Sequence, residues 1–115
     1  MKPRARRAAL CAASAIALAV IAPSGSAAED QVVAQRGKAF SQERITLRAG
    51  DRIVFKNEDT VSHNVFSRSP GAEFEVRAQL PGQQSPVVFA KPGLAEVRCA
   101  IHPAMRLHVT VTPKE

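Results

Sequence analysis

The strongest constraint on the fold is an alternation of apolar and polar residues, with a period of two, in several short segments. It runs through Arg44–Arg48 and Leu107–Val111 and, less strictly, through Arg52–Lys56, while Val87–Phe89 and Val97 add β-branched and aromatic residues. Such alternation places every second side chain on the same face of a strand, and that face is buried. No stretch of useful length shows the period of an amphipathic helix.

Turn-forming residues separate these segments at short intervals. They are Ala49–Asp51, Asn57–Asp59, Ser69–Gly71, Leu80–Gly82 and Lys91–Gly93. About seven or eight short strands spaced in this way are typical of a β-sandwich or a small barrel. The sequence therefore predicts a single all-β domain, with no repeat or linker after residue 28.

Residues 1–28 have the three-part layout of a secretory signal. Four Lys and Arg side chains lie among the first seven residues, Ala8–Ala22 is an uncharged run of 15 residues, and Ser26–Ala28 offers small residues for cleavage. The apolar run is shorter than the roughly 20 residues that a membrane-spanning helix needs. We therefore predict that 1–28 is removed, and that 29–115 is a periplasmic or otherwise exported domain with no membrane span.

Removal of this signal changes what the charge and the cysteine count imply. The whole chain carries a formal charge of +6, but the 87 residues after Ala28 contain 12 Lys and Arg against 10 Asp and Glu, which leaves +2. With no basic cluster and no Trp or Tyr to stack on bases, nucleic-acid binding is excluded. Cys11 leaves with the signal, so Cys99 has no partner for a disulfide. The five Phe are assigned to the core.

A second feature, the segment from Cys99 to Met105, carries the chemistry. Cys99, His102 and Met105 stand at every third position, between a strand that enters near Val97 and another that leaves at Leu107, while His63 lies 36 residues before Cys99. Two imidazoles and a thiolate with a weak axial thioether form the ligand set of a blue-copper site.

These residues resemble the cupredoxin family, nearest to its amicyanin and plastocyanin branch. The resemblance covers Val32–Val111 and rests on 49–55, on 57–65 and on Cys99-x-x-His102-x-x-Met105. It implies a Greek-key β-sandwich with one type 1 copper ion at one end, bound by His63, Cys99, His102 and Met105. It also implies that Asn64 ties the two ligand loops together, and that the protein carries single electrons between redox partners.

The resemblance also implies how partners reach the copper. His102 would face solvent beside Pro103 and Ala104, with Leu80–Pro81 nearby, and redox proteins would dock there transiently. A charge of +2 predicts mild electrostatic steering of a monomer. His108 lies on the polar side of its strand and is predicted to be exposed and not a ligand. Val97 and Leu107 depart from the family pattern, but neither removes a ligand.

Two other functions use the same residues. A copper-binding or copper-delivery protein on this scaffold would need the same ligands. An enzyme could use Cys99 as a nucleophile and His63 or His102 as its base, but no Asp or Asn stands at a recognisable spacing to orient the base. We therefore predict an electron carrier rather than an enzyme, with copper delivery as the alternative.

Overall fold

The structure is a computed structural model that describes Met1, Pro3 and residues 28–114. The predicted signal at 1–28, including Cys11, lies almost entirely outside the described residues, so its removal stays a prediction. No helix in the described part of the chain is long and apolar enough to cross a membrane. Nine strands follow one another: β1 Asp30–Arg36, β2 Ala39–Phe40, β3 Arg44–Arg48, β4 Arg52–Asn57, β5 His63–Ser67, β6 Phe74–Gln79, β7 Gln84–Val88, β8 Gly93–Arg98 and β9 Arg106–Thr112.

The strands form two mixed sheets packed as a sandwich, which confirms the predicted fold class. One sheet has the order β2-β1-β4-β7 and the other the order β3-β9-β8-β5-β6. β1 pairs with β4 and β3 pairs with β9 in parallel, while the remaining pairs are antiparallel. The count exceeds the predicted seven or eight because β2 has only two residues, too few to show an alternating pattern.

The core lies between the sheets and follows the alternation read from the sequence. Along β9, Leu107, Val109 and Val111 are buried whereas His108 is exposed, as predicted. Val97 and Leu107 are both fully buried, so the sandwich accommodates the two departures from the family pattern in its core. The buried apolar side chains are Val33, Phe40, Ile45, Leu47, Ile53, Phe55, Val65, Phe89, Ala95, Val97, Cys99, Met105, Leu107, Val109 and Val111.

The assignment of all five Phe to the core was wrong for Phe66. Its side chain is only half-buried, and the Arg68 guanidinium carbon lies 5.2 Å from the centre of its ring. A cation over an aromatic face is attracted by the ring quadrupole. Phe66 takes this position because Val65 and Ser67, its neighbours along β5, face inward and the period of two turns it outward.

Strand direction brings two loops to the same end of the sandwich. β4 ends at Asn57 and β5 begins at His63, while β8 ends at Arg98 and β9 begins at Arg106. Because β5 and β9 both run antiparallel to β8, the start of each lies beside the end of β8. The segments 58–62 and 99–105 are therefore neighbours, although they are far apart in the sequence.

Candidate metal centre

The four residues proposed as ligands from the sequence all lie at this end of the sandwich. His63 is fully buried at the start of β5, and Cys99, directly after β8, and Met105, directly before β9, are each 2% exposed. His102 is partly exposed at the middle of the loop between them. The alternation of β8 places Val97 and Cys99 inward, which directs the Cys99 thiol toward the buried imidazole of His63.

Three donor atoms converge on one point. Cys99 Sγ lies 3.7 Å from His63 Nδ1 and 3.8 Å from His102 Nδ1, and the two Nδ1 atoms are 3.2 Å apart. Donors held 2.0–2.3 Å from a common ion in tetrahedral or trigonal geometry lie about 3.3–3.7 Å from one another. The triangle therefore has the size that a single bound metal ion requires.

The donor set also fits a copper ion. A thiolate is a soft ligand that suits Cu(I), and imidazole binds both Cu(I) and Cu(II). The two imidazole rings meet edge to face, with centroids 4.9 Å apart, so both Nδ1 atoms are directed toward the gap between them. Cys99 is a free cysteine, which leaves its sulfur available as a thiolate ligand.

Met105 is the last residue of the loop that carries Cys99 and His102. Its backbone N–H donates to the carbonyl of His102 at 2.9 Å, which makes a tight turn of 102–105. Its side chain is buried with the apolar core. A thioether is a weak sulfur donor on a flexible, unbranched side chain, so the role of Met105 as a ligand stays a prediction.

Asp59 supports the buried imidazole and was missed from the sequence. His63 Nε2–H donates to Asp59 Oδ2 at 2.6 Å, which leaves the Nδ1 lone pair free for a metal. The spacing of four residues between Asp59 and His63 is the signal that could have indicated it. Asp59 also accepts hydrogen bonds from the Gly37 and Lys38 amides, which lie 22 and 21 residues earlier in the chain. At that separation, spacing in the sequence does not indicate a contact.

The surroundings of Asp59 keep its carboxyl group ionised. Burial alone would raise its pKa, but the Lys38 amide, the His63 ring and the Gly37 amide all stabilise the carboxylate and together lower the pKa below its usual value. A negative charge therefore stands against the outer nitrogen of the His63 imidazole. Such a carboxylate partner orients a ligating histidine and increases its basicity.

Asn57 fixes the segment that leads to His63. Its side chain is fully buried, and its amide nitrogen donates to the carbonyls of Val61 at 2.9 Å and Gln79 at 2.8 Å. Its side-chain oxygen accepts from the Asp59 amide at 2.9 Å. Gln79 in turn donates to the carbonyl of Phe55 and accepts from Gln35. A buried polar network therefore joins the two sheets directly beneath the site.

Asn64, the residue predicted to tie the two ligand loops together, makes one side-chain hydrogen bond within the described residues. Its amide nitrogen lies 3.4 Å from Glu75 Oε1 on the adjacent strand β6. Its side-chain oxygen is buried and has no hydrogen-bond partner among the described residues, so a tie to the 99–105 loop stays a prediction. In the structure the tie within the 57–63 segment is made by Asn57, six residues before His63.

Comparison with known proteins finds a copper-binding family and an amicyanin among the matches. The family described as copper binding proteins, plastocyanin/azurin family, matches residues 28–112. Amicyanin-alpha of Methylorubrum extorquens is 30% identical over 103 residues, which cover 87% of this chain and 83% of that protein. The methylamine utilization protein MauL of the same organism is 31% identical over 71 residues, or 61% of this chain and 62% of MauL.

Solved structures share the fold. A purple cupredoxin from Nitrosopumilus maritimus superposes with a TM-score of 0.64 at 21% identity, over 72% of this chain and 100% of that one. A reduced Cu(I) form of an amicyanin mutant gives 0.66 at 22% identity, over 71% and 81% of the two chains. A copper-containing nitrite reductase from Thermus scotoductus gives 0.66 at 22% identity, over 71% of this chain but 22% of the reductase.

Proposed function

The chain belongs to the plastocyanin/azurin family of copper-binding proteins, and from this premise we propose that it is an exported carrier of single electrons. One copper ion is its cofactor. We propose His63, Cys99 and His102 as the ligands of the plane and Met105 as the weak axial ligand. The observation that carries this assignment is the triangle of Sγ and two Nδ1 atoms with sides of 3.2–3.8 Å.

Electron transfer is favoured by the way in which the scaffold holds these donors. A carrier must accommodate Cu(I) and Cu(II) with little rearrangement, and ligands fixed by a packed core meet that need. Cys99 and Met105 are 2% exposed and His63 is fully buried. A copper ion held by these residues would supply the one-electron chemistry, and the sandwich would keep the side chains in nearly the same positions in both oxidation states.

Electrons would pass through the exposed side of the ligand loop. His102 is partly exposed, and Ile101, Pro103 and Ala104 around it are exposed, with Ile101 at 58%. Leu80, on the loop after β6, is 50% exposed. A small apolar surface of this kind suits brief contacts with redox proteins, because weak encounters of that class bury little area.

Export and the monomeric state belong to the same proposal. The signal-like composition of 1–28 and the single cysteine of 29–115 support a periplasmic location, since unpaired cysteines in such compartments are unusual unless a metal or a reactive role explains them. In the part of the chain that the structure describes, the reactive side chains that cluster are His63, Cys99 and His102, and we propose a carrier and not an enzyme.

The decisive experiment is the visible spectrum of the copper-loaded, oxidised protein. We expect an intense band from charge transfer between the Cys99 thiolate and Cu(II), reversible on reduction, and lost in Cys99→Ser with the fold retained. A colourless oxidised protein that still binds copper would overturn the assignment. Fast copper exchange combined with no reversible redox wave would instead favour copper delivery.

The docking surface has its own test in electron self-exchange between oxidised and reduced copies of the protein, measured by NMR line broadening. A charge in the centre of the apolar surface should keep two copies apart, so we expect Ile101→Lys to slow self-exchange at least about tenfold. Leu94→Lys is the matched control, because Leu94 is 76% exposed at the opposite end of β8. Equal rates in both variants would contradict this docking surface.

A further inference from the structure

The turn that joins β1 to β2 has an unusual backbone for its sequence. Gly37 and Lys38 have φ angles of 59° and 57°, so both lie in the left-handed region. Two successive residues of this kind are typical of the tightest hairpin turns. Glycine adopts this conformation freely, but a lysine adopts it at a cost, so the surrounding structure must hold Lys38 there.

The conformation directs two backbone amides at one carboxylate. Gly37 N–H donates to Asp59 Oδ1 at 2.6 Å and Lys38 N–H donates to Asp59 Oδ2 at 2.9 Å. The same Oδ2 accepts the proton of His63 Nε2 at 2.6 Å. A chain of hydrogen bonds therefore runs from the hairpin turn through Asp59 to the buried imidazole.

The hairpin itself is fastened beside the segment that carries Asp59. The Glu58 amide donates to the carbonyl of Gln35 at 2.9 Å, which continues the parallel pairing of β1 with β4. The Arg36 guanidinium pairs with the Glu58 carboxylate. Contacts of Gln35 and Arg36, the residues immediately before the turn, therefore hold the turn beside Asp59 and fix the direction of its two amides.

We propose that the Gly37–Lys38 turn is a positioning element of the copper centre, which acts on His63 through Asp59. This inference rests on the proposed function, since it takes His63 as a copper ligand. The turn amides hold the carboxylate in place, and the carboxylate holds the proton on Nε2 and the orientation of the ring. The charge of Asp59 also makes the imidazole a stronger donor, which stabilises Cu(II) relative to Cu(I) and lowers the reduction potential.

The chain contains a matched control for this arrangement. Asp51, at the opposite end of β4, also accepts two backbone amides, from Arg48 at 2.9 Å and Glu29 at 3.2 Å. Like Asp59, it accepts two backbone amides, but it lies away from the proposed ligands. Asp51→Asn should therefore change stability without changing the reduction potential or the release of copper.

The test compares Lys38→Pro, which removes the amide donor and cannot adopt a positive φ, with Lys38→Gly, which keeps the amide and relieves the backbone. In the copper-loaded full chain we expect Lys38→Pro to release copper to a chelator about tenfold faster, since outer partners of metal ligands typically contribute 10–100-fold in affinity. Lys38→Gly should match the wild type within about twofold. The effect of Lys38→Pro should vanish in an Asp59→Ala background.

Asp59 variants supply a second readout, which does not depend on recovery of Lys38→Pro in folded form. Asp59→Asn loses the charge of the carboxylate, so it should raise the reduction potential. Because it keeps an acceptor oxygen, its copper release should be nearly as slow as in the wild type, whereas release from Asp59→Ala should be fast. In the metal-free protein, Asp59→Ala should abolish the slow exchange of the Gly37 and Lys38 amide protons.

Each result decides the inference separately from the proposed function. A blue wild type whose copper release and potential are unchanged in Lys38→Pro and Asp59→Ala overturns the positioning role and leaves the carrier assignment standing. An equal effect of Lys38→Pro with and without Asp59 also overturns it, because the turn would then act by a different route. A wild type that is colourless with copper contradicts the carrier, while amide protection lost in Asp59→Ala would still support the link between the turn and Asp59.

Discussion

The two segments that supply the ligands are held in different ways. Residues 57–63, which carry His63, are fixed by protein contacts, with Asn57 buried in a polar network and Asp59 hydrogen-bonded to the ring. In 99–105, which carries Cys99, His102 and Met105, residues 100, 101, 103 and 104 are exposed. The backbone hydrogen bond within that loop joins Met105 to His102.

This contrast indicates a division of roles. Hydrogen bonds to Asn57 and Asp59 fix the 57–63 segment and with it His63, so the proposed ligand of this segment would define where the ion lies. The 99–105 loop would supply the other proposed donors and the proposed docking surface, and binding of the ion would further order its exposed residues. A site built in this way combines a rigid interior with an accessible edge.

Exchange of each histidine for glycine gives the largest expected contrast. Both His63→Gly and His102→Gly should lose the blue band. Added imidazole should restore most of the band in His102→Gly, because His102 is partly exposed, and none in His63→Gly, because His63 is fully buried. Titration of each copper-loaded variant with imidazole, followed by visible absorption, measures this. Equal rescue of both variants would refute the difference in access.

Truncation of the buried network tests the rigid segment directly. Asn57→Ala leaves the Val61 and Gln79 carbonyls and the Asp59 amide without their partner, so we expect a loss of about 2–4 kcal/mol in the free energy of unfolding. Asn64→Ala, whose amide makes a long contact with Glu75 at the surface, should cost less than about 1 kcal/mol. Urea unfolding of both metal-free variants gives the comparison, and similar losses would contradict it.

Removal of the metal should affect the two segments unequally. Without copper we expect the backbone amides of 99–105 to exchange at least about tenfold faster, because the loop loses the ion that joins its three ligands. The amides of 57–63 should change by less than about threefold, since protein contacts hold them. Hydrogen exchange of the two forms measures both. Uniform acceleration across both segments would show that the metal, and not the scaffold, orders the site.

The smallest effect is expected at Asp51, remote from both segments. The Arg48 and Glu29 amides lower the pKa of its carboxyl group below the ordinary value of 3.8. A lowered pKa in the folded state stabilises the fold above about pH 4, and this contribution is lost as the pH falls through the folded-state pKa. Asp51→Asn should therefore flatten the loss of thermal stability on acidification below pH 4. An unchanged acid profile would contradict the prediction.

Local pattern was sufficient for much of the molecule. The alternation at Arg44–Arg48 and Leu107–Val111 identified β3 and β9 to the residue or nearly so, because burial of one face imposes a period that short segments display. It could not identify β2, whose two residues pair only through the hairpin. It also misplaced Phe66, since composition alone does not reveal which face a residue occupies.

The limits at the site have the same cause. Cys99, His102 and Met105 are close in sequence, so their spacing was readable, and His63 completed the donor set of a blue-copper site as a second imidazole. Asp59 and its two amide donors join β1, β2 and the segment before β5, and no local pattern encodes such a contact. The role of Asn64 was implied by the resemblance, whereas the hydrogen bonds of Asn57 depend on where Val61 and Gln79 lie in the folded chain.

Residue identity and the period of two are properties of the sequence, and they were enough to predict the all-β class, the donor types and the family. The folded chain was needed to show which donors meet, which histidine is buried and which is accessible, and what holds each in place. These features depend on hydrogen-bond direction and burial, which arise from strands paired across the sheets. The arrangement of Gly37, Lys38, Asp59 and His63 exists only once β1 lies parallel to β4.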